Sequence, residues 1–182
     1  MERFVLWIYI QPLSRIILFI LILVPFWALL MFLLRKHRLL VRILNSVLCL
    51  AAFTGILYAT LFRGEGQHGA PILLPLYSLI EAQKHREMYR SLLMNVLLFV
   101  PFGLTLPYTL LEKWTCRALI SIVIAVVISI CIESFQFIFK LGCAEIDDVL
   151  MNTFGSVLGA LAYLPYWIWL KLRESSLHIQ KY

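Results

Sequence analysis

Charge is scarce in this chain. Only 14% of its 182 residues are Asp, Glu, Lys or Arg, whereas about 25% is usual for a soluble domain. Hydrophobic residues make up 62% of the sequence, and the mean hydropathy is +0.90. This composition excludes a soluble globular protein. It predicts an all-α integral membrane protein, with residues 1–182 forming a single membrane domain.

Two further absences narrow the function. The four cysteines are scattered and form no C-x-x-C pair, which argues against a disulfide framework or a zinc site. The net charge of +6 comes without a dense basic patch interleaved with aromatic residues, so nucleic acid is not an expected partner. We therefore expect no bound metal or cofactor, and membrane lipids as the immediate partners.

The apolar stretches are long enough to cross a membrane about five times. A helix needs roughly 20 apolar residues to span the ~30 Å hydrocarbon core. The predicted spans are at about residues 16–34, 43–62, 92–111, 118–139 and 149–170. The predicted fold is a polytopic helical bundle, kinked at Pro25 and Pro101. The longest connection, residues 63–90, is predicted to contain either a short amphipathic helix on the membrane surface or a solvated loop.

Basic residues predict the orientation. The densest cluster is RKHRLLVR, residues 35–42, and short basic connections stay in the cytoplasm. This places the N-terminus outside and the C-terminus in the cytoplasm. Because the bias over all connections is modest, the prediction depends mainly on that one cluster.

Polar side chains interrupt three of the predicted spans. Asn95 lies in the third span, Glu133 and Gln136 lie in the fourth, and Asp148 and Asn152 begin the fifth. A charged side chain in hydrocarbon costs about 2.5–3.5 kcal/mol even on lenient insertion scales, so such residues face a protein interior. The predicted topology brings all of them near the outer surface.

Spacing on the helices favours a single polar cluster. Residues three and four apart are neighbours on a helix, so Glu133 shares a face with Gln136, and Asp148 with Asn152. The predicted binding cluster comprises these carboxylates and amides: Glu133, Gln136, Asp148, Asn152, Asn95 and Glu145.

Each polar residue also has a structural interpretation. Asp148 would complement the dipole at a helix N-terminus, and Asn95 and Asn152 would form interhelical hydrogen bonds of about 0.6–2 kcal/mol each. Glu133 is the hardest to explain in this way, so it is the first residue to test for function. A hard cation bound by Glu133, Glu145 and Asp148 is a less favoured alternative.

Two blocks of the sequence carry a specific pattern. Residues 95–107, NVLLFVPFGLTLP, fit N-x-x-x-F-x-P-F-G-x-x-L, and residues 133–159 fit E-x-x-Q…G…[DE]-x-x-D-V-x-x-N-T-x-G-x-x-x-G. This combination resembles the VanZ-like membrane proteins over a core of about residues 60–160. It departs from them at Leu74-Pro75-Leu76, where Asn/Thr-Pro-Phe is usual, and it lacks their arginine after the Glu-Gln pair.

The resemblance implies a role in the bacterial cell membrane. The founding member of the family is associated with reduced susceptibility to teicoplanin, a lipid-tailed antibiotic that acts outside the membrane. The matching positions imply packing roles for a proline and four glycines: Pro101, Gly103, Gly142, Gly155 and Gly159. We therefore expect an envelope-modulating protein that binds a lipid-linked cell-wall precursor or a lipoglycopeptide.

Two other classes of function stay open. A membrane-embedded enzyme acting on a lipid-linked substrate would use Glu133 as acid or base, but the sequence contains no evident nucleophile–base pair. A small-solute transporter is less favoured, because transport sites lie near the membrane midplane and these polar residues lie near one face.

Overall fold

The computed structural model describes residues 13–61, 71–81, 86–110 and 116–179. Seven α-helices lie in these ranges, which confirms the predicted all-α class. They are α1 (Leu13–Leu33), α2 (Arg38–Leu61), α3 (Tyr77–Glu81), α4 (Arg86–Thr109), α5 (Arg117–Ile138), α6 (Ile146–Ala160) and α7 (Leu164–Ile179). One 3₁₀ turn, Leu34–Lys36, follows α1, and another, Leu161–Tyr163, joins α6 to α7.

Five stretches of the described chain are long and apolar enough to cross a membrane. They are Ile17–Lys36, Arg38–Thr60, Tyr89–Thr109, Arg117–Ile138 and Ile146–Arg173. The fifth is 28 residues long and is not one α-helix, because a 3₁₀ turn separates α6 from α7. The predicted membrane bundle of about five spans is confirmed.

The described part of the connection between the second and third spans contains one short helix. Helix α3 covers only Tyr77–Glu81, and α4 already begins at Arg86. Residues 62–70 and 82–85 lie outside the described part of the chain. The described part of this connection is therefore an extended segment followed by little more than one helical turn.

Helix α4 forms the centre of the bundle. In the third span 72% of the most apolar stretch is buried inside the protein, whereas only 11% is buried in the first span. Helix α4 packs against α2, α5 and α6, whereas α1 leaves many large apolar side chains exposed. Since the chain crosses a membrane, those side chains face lipid, and α1 is a peripheral helix.

Three glycines allow α4 and α6 to meet backbone to backbone. A Cβ on Gly155 would overlap the Val96 carbonyl, and one on Gly103 would overlap the carbonyl of Ser156. A Cβ on Gly159 would overlap the Val100 carbonyl in the same way. Close approach of this kind replaces the hydrophobic effect as the source of helix association in lipid. The G-x-x-x-G pattern of α6 therefore lies in the interface between α4 and α6.

The prolines of the first and third spans do not end their helices. Pro25 lies inside α1, and Pro101 and Pro107 lie inside α4, which continues to Thr109. Proline has no N–H, so each one leaves a carbonyl on the preceding turn without its usual partner. Thr105 Oγ1 donates to the Pro101 carbonyl at 2.9 Å, which adds a side-chain bond to this part of the helix.

The helix directions give the bundle two chemically distinct ends. Residues 71–81 and 133–148 lie together at one end, which we call the carboxylate end. Arg35, Arg38 and Arg117 lie with residues 163–173 at the other, which we call the arginine end.

Candidate functional site at the carboxylate end

The segment 71–81 lies across the connection between α5 and α6. Ile72 N–H donates to the Ala144 carbonyl at 3.0 Å, and Ile146 N–H donates to the Ile72 carbonyl at 3.1 Å. The two bonds form a short parallel bridge between Ile72 and Glu145. Two connections that are about 70 residues apart in sequence are therefore fixed to each other at the membrane surface.

Helix α5 ends in a turn that begins this connection. Lys140 has a φ of 55°, and Leu141 N–H donates to the Gln136 carbonyl at 2.9 Å, as in a Schellman cap. Lysine thus occupies a position where glycine is usual. Gly142 has open space around the position of a Cβ, so the packing role predicted for it is not found in the structure.

Asp147 fixes the loop to the bundle. Its side chain is 1% exposed, and its two carboxylate oxygens accept hydrogen bonds from Leu76 N–H at 2.6 Å and Ser78 N–H at 2.7 Å. Leu76 has a φ of 64°, which aims its N–H and that of Ser78 at one acceptor group. Charge-assisted bonds of this kind are roughly twice as strong as neutral ones, so Asp147 stabilises the architecture of this end.

Glu133 and Glu145, both selected from the sequence, are brought together. Glu145 N–H donates to Glu133 Oε2 at 3.2 Å, and the Ser78 hydroxyl donates to Glu145 Oε2 at 2.6 Å. Glu133 is only 8% exposed, although it lies on a helix that faces lipid over much of its length. The result is a continuous line of polar groups from α3 through the α5–α6 connection to α5.

Asp148 lies beside this line and differs from its neighbour Asp147. It is half-buried, its N–H donates to the Glu145 carbonyl at 3.2 Å, and its carboxylate interacts electrostatically with Glu133. Three of the predicted carboxyl groups, those of Glu133, Glu145 and Asp148, therefore belong to one neighbourhood.

Two of the three predicted amide side chains donate hydrogen bonds between helices, and the third is buried. Gln136 Nε2 donates to the Thr60 carbonyl of α2 at 2.9 Å, and Asn152 Nδ2 donates to Ser129 Oγ of α5 at 2.8 Å. Asn95 is 5% exposed, and its Nδ2 has no hydrogen-bond partner among the described residues. Gln136 and Asn152 thus join helix pairs and do not line the cleft described next.

A cleft of about 270 Å³ reaches the two glutamates. Its mouth is formed by exposed apolar side chains, including Leu73 at 68%, Ile130 at 50% and Phe137 at 52%. Its remaining walls come from the segment 71–81, α5 and the start of α6: Pro71, Ser134, Ala144, Ile146 and Val149, with Glu133 and Glu145. The cleft therefore opens toward lipid and contains carboxyl groups.

The chemistry of the site is that of carboxyl and hydroxyl groups. Among the described residues, no three His, Cys, Asp or Glu side chains are grouped as metal ligands. Burial, and to a lesser extent the nearby Glu145 carboxylate, raises the pKa of the Cys143 thiol. A thiol with a raised pKa is protonated near neutral pH and is a poor nucleophile.

Comparison with known proteins identifies the family. The sequence profile of the VanZ/LLP1 family matches residues 47–170, which is more than half of the chain. The chain belongs to the VanZ/LLP1 family. It is similar to Protein VanZ of Enterococcus faecium, with 37% identity over 75 residues, or 41% of this chain. The match covers 45% of that relative, which is less than half its length, and no solved structure matches significantly.

Three hydrogen-bonded residues near the site were not predicted from the sequence: Ser78, Ser129 and Asp147. Ser78 and Asp147 fix the loop, and Ser129 pairs with Asn152. The sequence did contain an indication of this role for Asp147. Two acidic residues lie in the first turn of α6, and the backbone N–H groups of the proline-containing loop need acceptors. Neighbouring positions on a helix point about 100° apart, so only the docking side of that loop distinguishes Asp147 from Asp148.

Proposed function

We propose that this VanZ/LLP1-family protein binds a lipid-linked envelope molecule, or a lipoglycopeptide such as teicoplanin, in the cleft at the carboxylate end. The carboxylate end lies at the outer surface, with the N-terminus outside and the C-terminus in the cytoplasm. Binding there lowers the susceptibility of the cell to teicoplanin-type antibiotics. The Arg35–Arg42 cluster at the opposite end supports this orientation, because basic connections stay in the cytoplasm.

The observation that carries the proposal is the combination of an apolar mouth with a buried carboxyl group. Leu73, Ile130 and Phe137 expose apolar surface at the opening, and Glu133 is 8% exposed behind them. A membrane protein that only needed a stable helix at this position would place an apolar residue there, since a buried carboxylate is costly in lipid. An acyl chain fits the mouth, and a polar head group fits the glutamates.

The carboxyl groups in the cleft also restrict which head groups can bind there. Glu133 Oε2 and Glu145 Oε2 both accept hydrogen bonds in the structure, and carboxyl oxygens of this kind favour hydroxyl, amide N–H or ammonium donors. Sugars and peptides of cell-wall precursors and of glycopeptides carry such donors.

The proposal is tested by replacing carboxyl groups one at a time. Glu133→Gln and Glu145→Gln are expected to return the teicoplanin susceptibility of a responsive host to that of cells without the protein. Glu81→Gln is the matched control, because Glu81 lies in α3 at the same end but does not line the cleft. Membrane abundance is measured for every variant, so that loss of protein is separated from loss of function.

A binding measurement completes the test. Purified protein in nanodiscs is expected to bind teicoplanin, and to bind a glycopeptide without an acyl tail more weakly, because the mouth of the cleft is apolar. Unchanged susceptibility in both Glu variants at normal abundance would refute the proposal.

The second hypothesis is a membrane-embedded enzyme acting on a lipid-linked substrate. The observation favouring it is the hydrogen bond from Glu145 N–H to Glu133 Oε2, at 3.2 Å. This bond brings two glutamates together beside a third carboxyl group, that of Asp148. Neighbouring carboxyl groups can divide acid and base roles between them. Mass analysis of lipid-linked precursors from cells with wild-type or Glu133→Gln protein separates the two ideas, since binding alone leaves their covalent structure unchanged.

A further inference from the structure

The arginine end contains a cluster that the proposed function does not use. The guanidinium carbons of Arg35, Arg38 and Arg173 lie 5.9, 5.9 and 5.7 Å from the centroid of the Trp169 ring. The three arginines come from three separate elements: the 3₁₀ turn after α1, the first turn of α2, and α7. Arg173 lies one turn beyond Trp169 on α7, and tertiary packing brings Arg35 and Arg38 to the same half-buried ring.

This arrangement concentrates positive charge. Because each guanidinium lies within 6 Å of the same ring, no two of them are more than about 12 Å apart. Like charges at such distances repel one another, and they do so more strongly near a membrane than in bulk water. The face of the tryptophan offsets part of this repulsion through cation–π attraction. Arg35 also lies 4.0 Å from the centroid of the Phe32 ring, and its Nη1 donates to the Phe32 carbonyl at 2.8 Å. An anion held between the guanidinium groups would offset more of the repulsion.

The depth of the cluster identifies the source of that anion. The first apolar span ends at Lys36, the second begins at Arg38 and the fifth ends at Arg173. The arginines therefore lie where hydrocarbon gives way to head groups, which is also the usual depth of interfacial tryptophan. Leu33, Leu39 and Leu172 flank them and are 63%, 72% and 64% exposed. Apolar surface beside a cationic cluster suits an acyl chain attached to a phosphate.

We propose that Arg35, Arg38 and Arg173, gathered around Trp169, bind the phosphate of an anionic phospholipid at the arginine end of the bundle. Guanidinium groups present paired N–H donors that match phosphate oxygens, and they stack on aromatic faces while doing so. The bound lipid joins α1, α2 and α7 at the surface opposite the cleft. The site is independent of the proposed function, because it uses none of the carboxyl groups.

The test measures lipid retention by the full chain. Protein purified in detergent is equilibrated with equal amounts of phosphatidylglycerol and phosphatidylcholine, and the lipids that stay bound are counted by native mass spectrometry. The wild type is expected to retain phosphatidylglycerol selectively. The double variant Arg35→Gln/Arg173→Gln is expected to lose about 30-fold in affinity for it, since each basic residue near an anionic surface contributes roughly one factor of five.

The matched control is Arg42→Gln. Arg42 lies on α2 one turn beyond Arg38 and carries the same charge, but it is not among the residues placed over Trp169. Its replacement is expected to leave selective retention unchanged. Arg35→Lys is expected to give an intermediate loss, because lysine keeps the charge without the planar group.

Three results would overturn the inference. Equal retention of the two lipids by the wild-type protein would show that no anionic site exists, whether or not the variants fold. Inorganic phosphate that displaces phosphatidylglycerol at millimolar concentration would show that the cluster takes free phosphate and not a lipid head group. A loss as large in Arg42→Gln as in the double variant would assign the effect to net charge, and this also contradicts a specific site.

Discussion

The two ends of the bundle hold their charges in different ways. At the carboxylate end, Asp147 is 1% exposed and accepts hydrogen bonds from two backbone N–H groups. At the arginine end, Arg35 and Arg173 lie over the face of Trp169. A carboxylate needs directed donors, whereas a guanidinium spreads its charge and can lie on an aromatic ring. The carboxylate end therefore depends on the position of single atoms. The arginine end depends more on contact surfaces, with one directed bond from Arg35 Nη1 to the Phe32 carbonyl at 2.8 Å.

The largest expected effect concerns which end faces out. Cys143 marks the carboxylate end and the exposed Cys116 marks the arginine end. We expect a membrane-impermeant maleimide to label a single-cysteine protein at Cys143 in intact cells, and to label one at Cys116 only after permeabilisation. Labelling at alkaline pH compensates for the raised pKa of the Cys143 thiol, because the thiolate is the reactive form. The opposite pattern would invert the orientation and move the cleft to the cytoplasm.

The next largest effect is expected from the backbone contact between α4 and α6. Gly155→Ala would place a methyl group against the Val96 carbonyl, which is backbone and cannot turn aside. Overpacking of this kind costs about 3 kcal/mol in unfolding free energy, and we expect both ends to loosen together. The measurement is reversible unfolding in mixed micelles.

The control for this variant is a glycine in open space. Gly55 lies in α2 with nothing within 4 Å of a Cβ, so Gly55→Ala is expected to be neutral or to stabilise the helix by up to about 1 kcal/mol. Equal losses for both glycines would mean that α4 and α6 do not pack as described.

The third effect is confined to the carboxylate end. Asp147→Asn keeps the shape but replaces one acceptor oxygen by an NH₂ group facing a backbone N–H, and removes the charge. We expect a loss of about 2 kcal/mol, measured by the same unfolding assay, together with faster hydrogen exchange at Leu76 and Ser78. Asp148→Asn is the neighbouring control and is expected to cost less, because Asp148 is half-buried. A larger loss for Asp148 than for Asp147 would exchange their roles.

The general architecture could be predicted because it depends on local properties. Hydropathy and length alone gave five spans, since a helix must satisfy its own backbone in lipid. Glu133 and Glu145 could be selected because a charge in or beside an apolar stretch stands out in any sequence. The turn at Leu161–Tyr163 that divides the fifth span was not predicted, because its residues are as apolar as their neighbours.

The finer geometry could not be predicted because it depends on contacts between distant segments. Asp147 is distinguished from Asp148 only by the docking of Leu76 and Ser78, which lie about 70 residues earlier. The same holds at the other end. The basic residues predict the orientation from their number alone, but the convergence of three arginines on Trp169 depends on how α7 packs against α1.

The smallest expected effect concerns a single neutral hydrogen bond at the arginine end, which can be compared with the bonds of Asp147. Tyr108 is 3% exposed, its hydroxyl donates to the Ala162 carbonyl at 3.0 Å, and its ring meets Tyr163 edge-on with centroids 5.1 Å apart. Tyr108→Phe removes a neutral hydrogen bond but keeps the ring contacts, so we expect a loss of about 1 kcal/mol in the unfolding assay. Tyr89→Phe, at an exposed position, should be neutral. If Tyr108→Phe costs as much as Asp147→Asn, then the arginine end also depends on single directed bonds, and the distinction between surfaces and positions does not hold.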